Sequence, residues 1–194
     1  MEGPERNPDR VREVLDQIRR GGSIEELASG LHWKDFEAFT AHIFCENGFL
    51  VKRNFRFSSN KRRYEIDVVA IEKPRVLLVD CKHWGIRPGK SNGIQRAADQ
   101  QRLRREKFVA KLPLLLTSET AEWRTATTIP LLVTLFHEGI SERCGTYIVP
   151  VFKLNAFIEE ARCGLFDCGR ASEIVRLDCY QGTSPISLRS SQPW

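Results

Sequence analysis

The chain has 194 residues, a length that suits one domain with a substantial core. Its composition, 41% hydrophobic and 28% charged, excludes disordered, collagen-like and disulfide-scaffold classes. A net charge of +5 permits an anionic partner without identifying it. Acidic residues in the first twenty positions are unlike a targeting peptide, and the longest apolar runs are far shorter than a membrane span. We therefore expect a cytoplasmic protein.

The cysteine pattern indicates free thiols rather than a metal site or a disulfide framework. No pair has CxxC spacing, and the four histidines are widely scattered. A structural zinc is accordingly not expected. Reduced and buried thiols are predicted for the six cysteines, Cys45, Cys81, Cys144, Cys163, Cys168 and Cys179.

Three helices are predicted before the first strand. Apolar residues at helical spacing form the first helix, which ends at Gly21-Gly22. Ser23-Ile-Glu-Glu26 has the pattern of a capping box and begins a second, short helix. The third helix is predicted over 33–46, with Asn47-Gly48 as its stop signal.

Three strands follow, and the last two have the composition of central strands. They are predicted over 49–57, 66–71 and 76–82, with a polar turn over 58–63 and a second turn at Lys73-Pro74. The second and third runs are nearly continuous in Val, Ile and Leu. Such runs are typical of strands buried on both faces of a sheet.

The remainder of the chain completes an α/β pattern. A long charged surface helix is predicted over 92–111, strands over 129–136 and 146–151, a helix over 154–161 and a last strand over 174–177. The order predicts an α/β core. The predicted organisation is a helical element at 1–31, a core at 32–162 and an extension at 163–194.

Charged residues at the ends of the two apolar strands carry the main functional signal. Asp80 and Lys82 are two residues apart on a strand, so they project from one face while Cys81 points to the other. If the strands pair through the Lys73-Pro74 turn, Asp67 lies opposite Asp80. Two acids and a lysine then converge at one end of the sheet.

Two carboxylates at such a position repel each other unless they share a cation. A hard divalent ion prefers carboxylate oxygens and can neutralise charge on a scissile phosphate. The alternative is an Asp80–Lys82 surface ion pair with Asp67 at a strand end, since an Asp-x-Lys tripeptide alone is common. Central strands normally exclude charge, which favours the metal interpretation.

The segment from Trp33 to Trp84 resembles the PD-(D/E)XK nuclease superfamily, which has the restriction-endonuclease-like fold. It is most similar to the Mrr-type restriction endonucleases and the archaeal Holliday-junction resolvases. The matching motifs are Phe36-Glu37, Asn47-Gly48-Phe49, Ile66-Asp67-Val-Val-Ala70, Leu77-Leu-Val-Asp-Cys-Lys82, Ile148-Val-Pro-Val151 and Leu154-Asn-Ala-Phe157. The resemblance covers roughly 33–160 and implies a restriction-endonuclease-like αβββαβ core, with a central mixed sheet flanked by helices.

The resemblance implies a role for each acid and for the lysine. Asp67 and Asp80 would bind Mg²⁺ or Mn²⁺, with the carbonyl of Cys81 as a further ligand. Lys82 would be the catalytic lysine. Glu37 would approach from the helix and bind the metal directly or through water; the alternative for Glu37 is an ordinary solvated helix acid.

Two positions depart from the family pattern. Asp80 stands where Glu is commoner, so its carboxylate reaches one methylene less far. Tyr64-Glu65 replaces the glycines that often precede the first acid, and Glu65 is in position to substitute for a ligand or to crowd it. His83-Trp84, directly after the lysine, is expected to have a structural or substrate-rim role rather than a catalytic one.

Basic residues flank the predicted site and favour a polyanionic substrate. One cluster consists of Lys52, Arg53, Arg56, Lys61, Arg62 and Arg63, and Ser58 and Ser59 in the predicted turn are further candidates for phosphate contacts. A second cluster around the long helix consists of Arg87, Lys90, Arg96, Arg102, Arg104, Arg105, Lys107 and Lys111. Each residue alone could be part of a solvated surface.

The sequence thus supports three hypotheses. The leading one is a Mg²⁺-dependent endonuclease acting on DNA, and the resemblance makes a homodimer a reasonable expectation. The second is a catalytically silent nuclease-like domain that binds DNA or RNA. The third is hydrolysis of a small phosphate ester, against which the two basic clusters argue.

Overall fold

The computed structural model describes residues 8–85, 90–164 and 173–177. The helices are α1 (Pro8–Arg19), α2 (Ile24–Ser29), α3 (Trp33–Glu46), α4 (Lys90–Val109), α5 (Leu112–Leu115), α6 (Thr117–Thr120) and α7 (Leu154–Arg162), and a 3-10 turn spans Val151–Lys153. The strands are β1 (Leu50–Ser59), β2 (Arg62–Glu72), β3 (Arg75–Lys82), β4 (Thr125–Thr134), β5 (Glu142–Arg143), β6 (Thr146–Pro150) and β7 (Glu173–Arg176).

Within these residues, the strands form one mixed sheet in the order β1-β2-β3-β4-β6-β5, with β7 also paired to β4. β1, β2 and β3 make an antiparallel meander, whereas β3, β4 and β6 run parallel. β5 and β7 add antiparallel pairs. The predicted α/β fold with a central mixed sheet and flanking helices is confirmed.

Both faces of the sheet are covered by apolar side chains. On one face, Phe36 and Phe39 of α3 belong to the same buried cluster as Val79 of β3. On the other face, Phe108 of α4 packs in a cluster with Leu78. Because successive residues of a strand point to opposite faces, the continuous apolar run of β3 is buried on both sides.

The first two helices share the core of α3. Val14 of α1 and Ala28 of α2 are fully buried in the cluster that contains Phe36. β7, from the predicted C-terminal extension, pairs with the first half of β4. The division into 1–31, 32–162 and 163–194 stays a prediction. None of the described helices combines the length and apolar composition needed to cross a membrane.

The hairpin between β1 and β2 corrects one prediction. Only Asn60 and Lys61 form the turn, with φ of 50° and 63°, and the strands continue to Ser59 and from Arg62. Two consecutive residues with positive φ are typical of a two-residue turn that matches the twist of its strands. The expected turn over 58–63 was too long, because polar residues also occur in the paired strands at the end of a hairpin. Residues 58–59 belong to β1 and residues 62–63 to β2.

The prediction of buried thiols was wrong for most of the described cysteines. Cys45, Cys144 and Cys163 are exposed free thiols, and Cys81 is a partly buried one. Cys45 lies in the last turn of α3, on the side that faces away from the sheet. Cys168 and Cys179 lie outside the described residues.

Arg162, at the end of α7, connects three elements. Its guanidinium donates to the Glu72 carboxylate at the end of β2 (2.7 Å) and to the Asn47 carbonyl after α3. It also lies over the Phe49 ring, 5.4 Å from the centroid. Arg75 of β3 donates to the Ala161 and Arg162 carbonyls, each at 2.9 Å, and so caps α7. The two arginines fix α7 to the meander.

We predict that Arg162→Ala lowers the free energy of unfolding by about 1–3 kcal/mol, because it leaves a part-buried carboxylate and a carbonyl without their donor. Urea denaturation followed by circular dichroism measures the change. Arg12→Ala is the control, since Arg12 is 77% exposed and its pairing with Asp9 is long, at 3.8 Å. Equal stability of the two variants would contradict the role given to Arg162.

Candidate active site

The middle of β2 and the end of β3 bring two acids together. The antiparallel register pairs Val68 with Val79, so Asp67 and Asp80 occupy the next pair of positions. Oδ2 of Asp67 accepts a hydrogen bond from the backbone N–H of Cys81 at 2.8 Å. The side chain of Asp80 is almost fully buried. Asp67 and Asp80 therefore lie side by side at the carboxyl end of a central strand.

Asp80 carries two cationic partners. Nζ of Lys82 lies 2.5 Å from Oδ2, and Nη1 of Arg104 lies 2.7 Å from Oδ1. The expectation that Asp80 and Lys82 project from the same face is confirmed. The alternative of a simple surface ion pair does not describe this geometry, because the Asp80 side chain is only 4% exposed.

Arg104 was not distinguished from its neighbours by the sequence, and neither was Gln101, three residues before it on α4. Gln101 is fully buried, donates to the Leu78 carbonyl of β3 at 2.6 Å and accepts a hydrogen bond from Arg104 at 3.2 Å. The i, i+3 spacing of the two residues on one helix face was the available signal. It identifies no partner by itself.

Glu37 of α3 is the third acid of the site. It is 9% exposed, and its pKa is raised to about 7, first by burial and next by the negative charge of Asp67. Arg53 acts in the opposite direction and lowers the Glu37 pKa. The charges of both strand acids contribute to the raised pKa of Glu37, so the helix acid lies near them.

Asp67 is also perturbed. Burial, followed by repulsion from Asp80, raises its pKa to about 6. The Cys81 N–H, Lys82 and Arg104 lower the pKa, but by less. Two of the three acids thus hold a proton more readily than they would in water, because burial penalises their charged forms and neighbouring acids add repulsion.

Glu65 pairs with a residue of β1 rather than with the strand acids. Its carboxylate accepts a hydrogen bond from Nε of Arg56, the residue opposite it on β1, at 2.8 Å. Both side chains are largely exposed. Glu65 therefore forms a surface pair with Arg56, and its negative charge still contributes to the raised pKa of Glu37.

A divalent ion fits the chemistry of these donors. Carboxylates with raised pKa values gain most from a shared cation, and hard ions prefer oxygen ligands. Among the described residues, however, no three acidic, histidine or cysteine side chains stand together as a ready coordination shell. A cation lies within 2.7 Å of each oxygen of Asp80, although Oδ2 has no hydrogen-bond partner among the described residues, so an ion would compete with these cations for the carboxylate.

The side chain of Cys81 lies on the other face of β3, as expected, among the residues that pack under α3. Burial raises the pKa of its thiol well above the ordinary value. A protonated, inward-facing thiol is a poor ligand. Only the backbone carbonyl of Cys81 is left as a candidate ligand.

The β1–β2 hairpin carries the first basic cluster. Its tip is six residues from Asp67 along β2, or about 20 Å at the usual strand rise, beyond the acidic site. Lys61, Arg62 and Arg63 are exposed at the tip. Lys52 is paired with Glu119 at 2.6 Å, and Arg53 is half-buried towards Glu37.

The two serines of the hairpin lie in β1 rather than in a turn. Ser59 is 5% exposed, so its hydroxyl has little access to a phosphate, and the expectation for this residue is corrected. Ser58 is exposed, and its carbonyl accepts a hydrogen bond from Nζ of Lys111 at 2.8 Å. This bond joins the hairpin to the segment that follows α4.

The second basic cluster does not form one surface. Arg104 contacts the site, Arg105 is buried, and Arg102 pairs with Glu106 on the exposed side of α4. Arg87 lies outside the described residues, as does the side chain of Lys90.

His83 has structural contacts, as expected. Its Nε2 lies 3.1 Å from the Ala28 carbonyl, and its ring packs against Phe36 at 5.2 Å between centroids. The neighbouring Trp84 ring lies 5.8 Å from Nζ of Lys82. The pair thus joins α2 and α3 to the end of β3.

Comparisons with known proteins place the site within a family. A family model described as restriction endonuclease, of the Mrr catalytic type, matches residues 28–117, which include all three acids, Lys82 and Arg104. An uncharacterized protein of Archaeoglobus fulgidus is 30% identical over 139 residues, which are 72% of this chain and 98% of that protein. No solved structure matches. The chain belongs to the Mrr-type restriction endonucleases of the PD-(D/E)XK superfamily.

Proposed function

We propose that the protein is a Mg²⁺-dependent endonuclease that hydrolyses phosphodiester bonds in DNA. The observation that carries the proposal is the placement of Asp67 opposite Asp80 at the end of a buried strand, with Lys82 on the same carboxylate. Membership in a restriction endonuclease family supports a nuclease-type activity. We also propose that it acts in the cytoplasm as a homodimer. A molecular mass in solution equal to that of one chain would refute the dimer.

Asp67, Asp80 and the Cys81 carbonyl would hold the ion, with Glu37 as a further ligand or as a holder of bound water. When bound, Mg²⁺ supplies charge neutralisation at the scissile phosphate and a lowered pKa for water. Lys82 is positioned to stabilise the negative charge that develops on the phosphate. The Cys81 N–H fixes one oxygen of Asp67, which limits rotation of that carboxylate.

A silent DNA- or RNA-binding domain is the second candidate. The observation in its favour is that Lys82 and Arg104 already engage both oxygens of Asp80. A binding protein, however, gains nothing from three acids placed beside a phosphate backbone. The raised pKa values of Glu37 and Asp67 are an unrelieved cost in that case, whereas a metal-dependent enzyme relieves them on loading.

We predict that Asp67→Asn and Lys82→Ala each lower the rate of plasmid cleavage by about 100-fold or more, because each removes a group that acts on the reacting phosphate or its ion. A panel of plasmid, single-stranded and branched DNA, assayed with Mg²⁺ and with Mn²⁺, measures cleavage. DNA affinity is expected to remain within a few fold.

Asp99→Asn is the matched control, since Asp99 pairs with Arg143 rather than with the site. Cleavage by Asp67→Asn at the wild-type rate would refute the metal role. Salt-sensitive binding without any product from the wild type, under every condition, would favour the silent domain.

A second prediction concerns pH. Glu37 and Asp67 have folded pKa values of about 7 and about 6, above the ordinary 4.5 and 3.8. The folded state therefore binds protons more tightly, and the stability from these groups is lost as pH rises from about 4 to 7. In chelator, the melting temperature is expected to fall over this window, and Glu37→Gln should flatten the fall.

Added Mg²⁺ should raise the melting temperature more at pH 8 than at pH 5.5, since the ion binds ionised carboxylates. Differential scanning calorimetry at both pH values measures these shifts. Equal pH profiles for the wild type and Glu37→Gln would show that the helix acid is not part of the coupled cluster.

A third prediction tests the hairpin. Replacing Lys61, Arg62 and Arg63 together by Gln is expected to weaken DNA binding and to reduce the slope of log affinity against log salt by about 0.9 for each phosphate that the tip no longer neutralises. Fluorescence anisotropy over a salt series measures the slope. Lys153→Gln, an exposed residue beside α7, is the control. An unchanged slope in the triple variant would remove the hairpin tip from the DNA interface.

A further inference from the structure

Arg104 occupies one oxygen of the Asp80 carboxylate, and the proposed function requires this carboxylate as a ligand. Its Nη1 donates to Oδ1 of Asp80 at 2.7 Å, while Lys82 engages Oδ2. A divalent ion held between Asp67 and Asp80 needs an oxygen from each acid. The arginine and the ion therefore compete for one carboxylate.

The arginine is held there by a built support. Oε1 of Gln101 accepts a second hydrogen bond from the same Nη1 at 3.2 Å, and Gln101 is itself fixed to the Leu78 carbonyl at 2.6 Å. Gln101 is fully buried, so its amide has no solvent alternative. Gln101 thus links the guanidinium of Arg104 to the backbone of β3 and holds it near the end of that strand.

The charges around the acids are unevenly distributed. Asp80 has two cations within 2.7 Å, whereas Oδ2 of Asp67 accepts its hydrogen bond from a neutral group, the backbone N–H of Cys81. One cation on Asp80 is enough to neutralise it. Moving Arg104 away and placing a divalent ion between the strand acids would distribute positive charge over the whole cluster.

The guanidinium of Arg104 is also suited to bind a phosphate. Its side chain is 26% exposed, and in the described part of the chain only Nη1 makes hydrogen bonds, which leaves the other donors of the guanidinium available. A guanidinium presents up to five N–H donors in a planar fork suited to phosphate. A phosphate held near Lys82 and the ion would lie within the reach of this side chain.

We propose, resting on the proposed function, that Arg104 is a tethered counter-ion: it occupies Asp80 in the metal-free protein, and on metal binding it transfers to a phosphate of the nucleic acid. Metal and DNA then favour the same rearrangement, so each tightens the binding of the other. Arg104 is in this sense a positioning residue for Asp80 and a binding residue for the substrate.

The first experiment is calorimetric titration of the protein with Mn²⁺. Arg104→Met should bind Mn²⁺ at least about fivefold more tightly than the wild type, the lower end of coupling between linked events. Arg104→Lys, which keeps the charge without the fork, should fall between them. Arg102→Met is the matched control on α4, since Arg102 pairs with Glu106, and its affinity should equal that of the wild type.

Unchanged or weaker Mn²⁺ binding by Arg104→Met would overturn the inference and leave Arg104 as a structural partner that orients Asp80. If Arg102→Met bound Mn²⁺ as tightly as Arg104→Met, the effect would come from the loss of any positive charge on α4, and the inference would also be overturned. Titration of Asp67→Asn with Mn²⁺ distinguishes a failure of the Arg104 inference from a failure of the proposed function. If the wild type shows no Mn²⁺ binding that depends on Asp67, the metal-dependent activity itself is excluded.

The second experiment measures DNA affinity by anisotropy in the Lys82→Ala background, in which cleavage is removed. Mn²⁺ should tighten DNA binding of Lys82→Ala by several fold more than that of Lys82→Ala with Arg104→Met. Equal effects of Mn²⁺ on both proteins would exclude the transfer of Arg104 to phosphate. Thermal melting of each variant verifies that it is folded.

Discussion

The burial of three neighbouring carboxylates is the constraint on which the site depends. Asp67 lies in the middle of β2 and Asp80 near the end of β3, and Glu37 lies near them on α3. A buried charge costs several kcal/mol unless it is paired. Lys82 and Arg104 supply positive charge at Asp80, while burial and the neighbouring acids raise the pKa values of Glu37 and Asp67. The site is therefore assembled in a form that favours a further cation.

Much of the fold could be predicted from the sequence because its signals are local. The apolar runs of β2 and β3, the Lys73-Pro74 turn and the stop signal at Asn47-Gly48 each require only neighbouring residues, and the structure confirms them. The meeting of Asp67 with Asp80 follows from one hairpin register. The approach of Glu37, in contrast, was implied by resemblance, since no local pattern says which face of α3 meets the strand ends.

The parts that could not be predicted depend on packing between distant elements. α4 is charged along most of its length, so its sequence does not reveal that Gln101 is buried or that Arg104 reaches Asp80. Ser59 was expected in a turn because it stands in a run of polar residues. In the structure it is the last residue of β1 and is buried. Cys45 was expected in the core because its neighbours are apolar, but the helix turns its thiol outward.

β1 has a consequence for solubility as well. In the sheet order it is an end strand of ten residues, and such strands expose backbone groups to which another chain can add. Lys52, Arg53 and Arg56 place charge along it, and Asn54, with φ of 49°, interrupts its regular pairing. Charge and a local kink are the usual protections against edge-to-edge aggregation. Neutralising this strand to weaken DNA binding would also remove part of what keeps two copies from joining their sheets.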